Sequence, residues 1–236
     1  MARVDLGFPN DFILSPARVE DVPGMVAAVL SAFSKSEATR LNMGTASQAA
    51  KESWLTSNLT TKFTTPGVYQ FVVRQHSTDK IVGMSRWLFP TVLTEEQQQD
   101  KANEAEENAA KRQRGENPYP EGANVGSFDA MFDGANRFRG LHVNPEDTYV
   151  LDLLCVHQDY QGKGIGGMLL RYALDLADAD GRKAYLESTE AGHPLYLKLG
   201  WKDIDLLTID TRNYGGEKVI TYWIMTRDPR ALIKAE

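Results

Sequence analysis

The sequence predicts an α/β fold in a single domain, and three observations carry that reading. Seven runs of β-branched and large apolar residues lie along the chain, with helical patterns between them. The stretch 149–178, YVLDLLCVHQDYQGKGIGGMLLRYALDLAD, passes from an apolar run through a glycine-rich link into an amphipathic helix pattern. Hydrophobic residues make up 42% of 236, enough to build one core of that size.

Taken in order, 12–14 reads as a short strand. Ser15-Pro16 or Asp21-Val22-Pro23 then opens a helix carried by Val22, Met25, Val26, Val29, Leu30 and Phe33. A second helix, 46–59, buries Trp54 and Leu55. Pro66-Gly67 turns the chain into strands 68–74 and 80–88, which the polar link QHSTD joins as a hairpin. Segment 94–114, TEEQQQDKANEAEENAAKRQR, has almost no apolar residues but strong helix formers. Its acids come early and its bases late, as the helix dipole favours. It reads as a solvated surface helix, with a partner-binding arm as the other reading. A loop at 117–124 follows. Phe128, Met131, Phe132 and Phe138 then form an apolar stripe on a short helix. Beyond the central unit, 183–188 is a strand, 195–199 a short helix stopped by Gly200, and 201–209 and 218–225 the last two strands. No repeat is visible. Too little chain precedes the polar segment for an independent core, so 1–236 reads as one domain with an insertion at 94–147.

Charge and cysteine usage narrow the class. A net charge of −6 argues against bulk nucleic-acid or anionic-membrane binding and mildly favours a cationic over an acidic small-molecule partner. The single cysteine, Cys155, excludes an intrachain disulfide or a cysteine metal cluster. Neither a signal-peptide core nor an 18-residue apolar run is present. A cytoplasmic protein without a membrane span, a monomer or a homodimer, is expected.

The central glycines, Gly162, Gly164, Gly166 and Gly167, stand within six positions between a strand and a helix. That order makes an anion site: glycine lets backbone approach a phosphate, and free N–H groups at the helix start point at it. Three motifs compete. The nucleotide P-loop needs a Lys-Ser/Thr pair after its last glycine, and none is present. The dinucleotide pattern Gly-x-Gly-x-x-Gly is met by Gly162, Gly164 and Gly167, with Glu187 20 residues on. In that fold, however, the first glycine turns directly off the strand. Here the five residues 157–161 intervene, and only about 70 residues follow the turn, too few for the rest of a doubly wound sheet. The third motif, Gln-x-x-Gly-x-Gly, is Gln161, Gly164 and Gly166. With VHQDYQGKGIG before it and LYLKLGW at 195–201 after it, the chain resembles the GNAT superfamily of acyl-CoA N-acyltransferases. The resemblance covers 149–226 by motif and 12–90 by pattern.

That resemblance implies a mixed central sheet of about seven strands flanked by helices, with the polar helical insertion before the fourth strand. It implies acetyl-CoA as co-substrate, no metal, and a small-molecule or peptide amine as acceptor. The pyrophosphate would rest on Gln161, Gly162, Lys163, Gly164, Ile165 and Gly166. The pantetheine arm would pair along Leu154, Cys155 and Val156. The family's asparagine after the fifth strand is absent, and Ser188 or His193 could substitute for it. Tyr196 would protonate the leaving thiolate. For the base, Asp152 stands out as a charge amid YVLDLLCV, and a lone buried carboxylate there needs a partner, a cleft or an abnormal pKa. Glu187 is its rival, with His157 and His193 behind. Cys155 is a conceivable nucleophile, but its mid-strand position suits packing. A reading from another class also stands: a non-catalytic acyl-CoA sensor whose contact arm is the polar helix.

Overall fold

In the computed structural model, which describes residues 11–230, the first described elements are β1 (Phe12–Pro16), α1 (Val22–Ala32), α2 (Glu37–Met43) and α3 (Gln48–Thr61). The hairpin β2 (Val68–Gln75) and β3 (Ile81–Leu88) comes next, then α4 (Glu95–Gln113) and α5 (Val125–His142). The second half is β4 (Thr148–Val156), α6 (Ile165–Ala179), β5 (Lys183–Ser188), α7 (His193–Lys198), β6 (Lys202–Asp210) and β7 (Val219–Arg227). The strands form one seven-stranded sheet in the order β1-β2-β3-β4-β5-β7-β6. Only β4 and β5 run parallel, so the sheet is mixed, as the resemblance implies.

Side-chain alternation divides the sheet between two layers. On one face α6 buries Ile165, Met168, Leu169, Leu170, Ala173, Leu174 and Ala177, one apolar stripe against Val73, Val82, Trp87, Tyr149 and Leu151. On the other, α1 buries Met25, Val26 and Val29 with Leu55 and Leu59 of α3 against Val72, Met84 and Cys155. A third cluster joins Phe138 of α5 to Val150, Tyr185, Leu207, Tyr222 and Ile224.

Two elements differ from the sequence reading. Three helices, not two, separate β1 from β2: α2 is a short helix capped by Ser36, whose side chain accepts from the Thr39 N–H at 3.2 Å. Its seven residues, EATRLNM, are too few and too polar to show a period. The stripe at 128–138 is part of an 18-residue helix, α5, capped by Asn124. The polar segment forms α4, and α4 and α5 both lie between β3 and the fourth strand, in the segment read from sequence as an insertion.

The end of β7 is tied to α6 by a buried ion pair. Arg227, 3% exposed, donates from Nη1 and Nη2 to the two Asp178 oxygens, both at 2.7 Å. Burial works against the Asp178 charge, but the bonds from Arg227 and from the Arg230 backbone N–H outweigh it and hold its pKa below the ordinary value. Asp178→Ala strands the guanidinium and should cost about 3 kcal/mol in urea denaturation at pH 7. A carboxyl with a depressed folded pKa stabilises above its unfolded pKa and loses that contribution as pH falls through the folded value. The deficit should therefore shrink in strong acid.

Candidate active site

The site begins where the sheet parts. β4 and β5 pair from Thr148↔Lys183 to Leu151↔Leu186 and no further, although β4 runs on to Val156 and β5 to Ser188. Past Leu151 the central strand keeps only β3 as its partner. The His157 N–H donates to the Val82 carbonyl on the β3 side at 2.8 Å. Because backbone groups alternate in direction along a strand, Leu154 and Val156 present theirs to the open side. The Val156 carbonyl there accepts from Gln161 Nε2 at 3.1 Å.

At the fork the β3–β4 register slips. Arg86 faces Leu153 while Trp87 faces Leu151, which leaves Asp152 as the extra residue of a β-bulge. Tyr149 and Leu151 pack under α6, whereas Leu153 and Cys155 pack toward α1. The bulge sets Asp152 among cations. Arg86 Nε reaches Oδ2 at 2.5 Å and Arg139 Nη1 reaches Oδ1 at 2.9 Å. Arg139 also donates from Nε and Nη2 to the two oxygens of Glu187, at 2.8 Å each. Arg86 Nη1 donates to Asn58 of α3 at 2.9 Å. Burial opposes the Asp152 charge, but Arg86 and Arg139 overcome it and hold its pKa down at about 2.

The glycine turn lies at the far end of β4. Gly162 and Gly164 have φ of 76° and 81°, a left-handed backbone that disfavours other residues. A Cβ at either would meet nothing within 4 Å, so the backbone there is open to a ligand. In α6 the Met168 N–H bonds to the Gly164 carbonyl at 3.1 Å, and the N–H groups of Ile165, Gly166 and Gly167 precede that first turn. Lys163 Nζ sits 4.8 Å from the Tyr160 ring centre. The dinucleotide alternative is set aside, because a sheet with one parallel pair is not doubly wound.

Tyr196 sits on α7, 7% exposed, edge-on to Trp201 at 6.0 Å. Gly192 makes room for it: a Cβ there would lie 2.9 Å from Tyr196 Cε2. Burial raises the phenol's pKa above its ordinary value, and its hydroxyl has no hydrogen-bond partner among the described residues. Ser188, buried at the end of β5, donates to the Thr189 carbonyl at 2.8 Å. His193 contacts Asp203 at 2.8 Å and stacks on Trp223, while His157 lies 3.3 Å from Lys80. Burial pushes the Cys155 thiol up to about 12, so the thiolate a nucleophile needs is scarce.

Tyr196, Asp152 and Glu187 all line one cavity of about 630 Å³, between the sheet and helices α1, α2, α3 and α5. Its size lies within the range of small-molecule sites. Two residues that organise it, Arg86 and Arg139, were not singled out in the sequence. The available signal was spacing: Arg139 lies on the same helical face as Phe128, Met131, Phe132 and Ala135, all of which line the cavity. Among the described residues no group of three His, Cys, Asp or Glu side chains could hold a metal ion, and no helix is long and apolar enough to cross a membrane.

The parted β4–β5 pair and the glycine turn before α6 both lie in a segment that matches a family model. Residues 128–203 match the family model of the acetyltransferase (GNAT) domain, a segment running from α5 into β6. The fold is shared with a Corynebacterium glutamicum protein described as histone acetyltransferase HPA2 and related acetyltransferase. It is 17% identical, with 94% of this chain and 99% of that one covered and a TM-score of 0.56. It is shared with the PaiA N-acetyltransferase of Thermoplasma acidophilum in complex with coenzyme A, at 14% identity, 92% and 98% coverage and a TM-score of 0.51. The acetyltransferase of GNAT family from Streptococcus pneumoniae also aligns, at 12% identity, 92% and 99% coverage and a TM-score of 0.51. No curated protein matches the chain.

Among the described residues, Arg139 is the one bonded to both carboxylates. Arg139→Gln leaves Asp152 and Glu187 short of a counter-charge and should cost about 3 kcal/mol at pH 7. With its folded pKa near 2, Asp152 contributes stability above its unfolded value that fades as pH falls toward 2. Urea melts of the variant and the parent should differ less at pH 3 than at pH 7.

Proposed function

We propose that this protein is an N-acyltransferase that moves an acetyl group from acetyl-CoA to a primary amine by direct attack within a ternary complex. The observation that carries the reading is one cavity holding the open part of β4, an unpartnered tyrosine hydroxyl and two carboxylates. Coenzyme A in the Thermoplasma neighbour supports the choice of donor.

The residues fit such a donor. The unobstructed turn at Gly162 and Gly164 and the first N–H groups of α6 suit a pyrophosphate. Gln161, Lys163, Ile165 and Gly166 complete that cradle. The free edge at Leu154, Cys155 and Val156 suits an extended pantetheine arm, taken up as an added strand, with Ser188 across the gap. Val156 N–H is the donor for the thioester carbonyl oxygen, where charge develops during attack. Tyr196 gives its proton to the leaving sulfur. A phenol whose pKa is raised by burial stays protonated at neutral pH, as a donor must.

The carboxylates divide the remaining work. Asp152, held near 2 by two arginines, is a poor proton acceptor at neutral pH. Its charge instead holds Arg86 and Arg139 in place at the fork. Glu187, bonded to Arg139 alone among arginines, is the better placed proton acceptor. This reverses the order expected from sequence, where Asp152 stood first.

Gly164→Glu should lower CoA affinity by about tenfold or more, equal to 1.4 kcal/mol, since it adds strain and negative charge at the turn. Calorimetry showing unchanged affinity would remove the donor assignment. Tyr196→Phe should lower kcat by a factor on the order of 10² with little change in donor binding. Wild-type kcat in this variant would overturn the acid role. A protein that binds CoA and acetylates no amine would be the sensor instead.

A further inference from the structure

We infer that the acceptor is an amine on an aromatic-sized apolar body that also bears an anionic group, and that Arg40 and Lys51 receive the anion. The inference rests on the transferase reading for the amine but on separate residues for the acid. The cavity wall is apolar and aromatic. α5 presents Phe128, Met131 and Phe132, and Trp54 of α3 packs on Phe128 with centroids 5.7 Å apart. The charges of the lining do not cancel: four cations, Arg40, Lys51, Arg86 and Arg139, face two anions, Asp152 and Glu187. The two inner arginines are matched by those carboxylates. Arg40 and Lys51 are the surplus, and neither makes an ion pair or a side-chain hydrogen bond with another described residue.

Neighbouring acids could have neutralised both and do not. Glu37, three residues before Arg40, is paired with Lys218 Nζ at 2.7 Å. Glu52, next to Lys51, accepts from Gln48 Nε2 at 2.8 Å. Arg40 is exposed and Lys51 half-buried, both on helices, whereas the carboxylates rise from the sheet. The cavity thus has a cationic mouth, an aromatic wall and a floor at which an amine meets the tyrosine. A polycationic acceptor would find no free carboxylate and two repelling cations. The chain's net charge of −6, which mildly favoured a cationic acceptor, does not describe this cavity.

The test compares amines that differ only by an acid: benzylamine with 4-(aminomethyl)benzoate, and phenethylamine with phenylalanine. Acetylation is followed by thiol release from acetyl-CoA, and binding of each amine to the CoA-saturated protein by calorimetry. In at least one pair the acid-bearing amine should be favoured by about tenfold or more in kcat/KM and in affinity, the ratio for 1.4 kcal/mol. Arg40→Glu with Lys51→Glu should erase or invert that preference, and Arg40→Gln with Lys51→Gln should reduce it. The helical circular dichroism of both variants checks that they fold. Equal or better use of the parent amines in both pairs overturns the inference, as does a preference that survives the charge reversal or the absence of binding by any acid-bearing amine. Acid-dependent binding without acetylation leaves this inference standing and sinks the transferase reading. Acetylation without acid preference sinks this inference alone.

Discussion

A parallel pair of strands that separates after four residue pairs leaves backbone N–H and C=O groups without sheet partners, and the rest of this structure is arranged around that opening. The two strands cannot simply drift apart, because each is pinned on its outer side, β4 by β3 and β5 by β7. α6 packs across one face of the sheet and α1 across the other. At the fork a side chain replaces the missing ladder. Arg139 spans the gap, bonded to Asp152 on β4 and to Glu187 on β5. Charge-assisted bonds of this kind are stronger than neutral ones and are fixed in geometry when bidentate. The wedge thus gains a clasp at its apex and stays open beyond it, where Leu154 and Val156 face the gap.

That clasp comes from the insertion, which gives the insertion two unlike halves. α4 is a solvated helix with acids early and bases late, supported by pairs such as Glu107–Lys111 at 2.8 Å. α5 instead turns one face to the cavity and anchors itself through Phe138 in a cluster with Leu207 and Tyr222. Gly134 permits the close approach, since a Cβ there would fall 2.7 Å from Leu207 Cδ1. The same helix therefore supplies the aromatic wall and the arginine that neutralises the carboxylates.

Much of this was legible in the sequence, and the remainder was not for identifiable reasons. The strands and α6 announced themselves because alternation and helical period are local properties. The glycine turn was legible because positive φ demands glycine at positions such as Gly162 and Gly164. Asp152 was conspicuous as a charge in an apolar strand, but its partners lie 66 residues before it and 13 residues before it, and no local pattern encodes such pairing. The bulge and the parting of the strands are register properties of three strands at once. α2 escaped notice because seven residues show little period, and Arg40 went with it. Local rules find elements; they do not find which charges meet.

The two kinds of charge control in the cavity complement each other. The Tyr196 hydroxyl has no hydrogen-bond partner among the described residues, and burial alone moves its pKa upward. Burial opposes the charge of Asp152 too, yet two guanidiniums reverse the sign and move its pKa downward. Over the neutral range one group therefore remains a neutral donor and the other a fixed anion, and neither changes charge when the medium does. Any pH dependence of this cavity near neutrality must therefore arise from other groups. The two arginines spread the Asp152 charge into two bonds. The ion network thus does more than hold the fork together: it fixes the charge at the floor of the cavity.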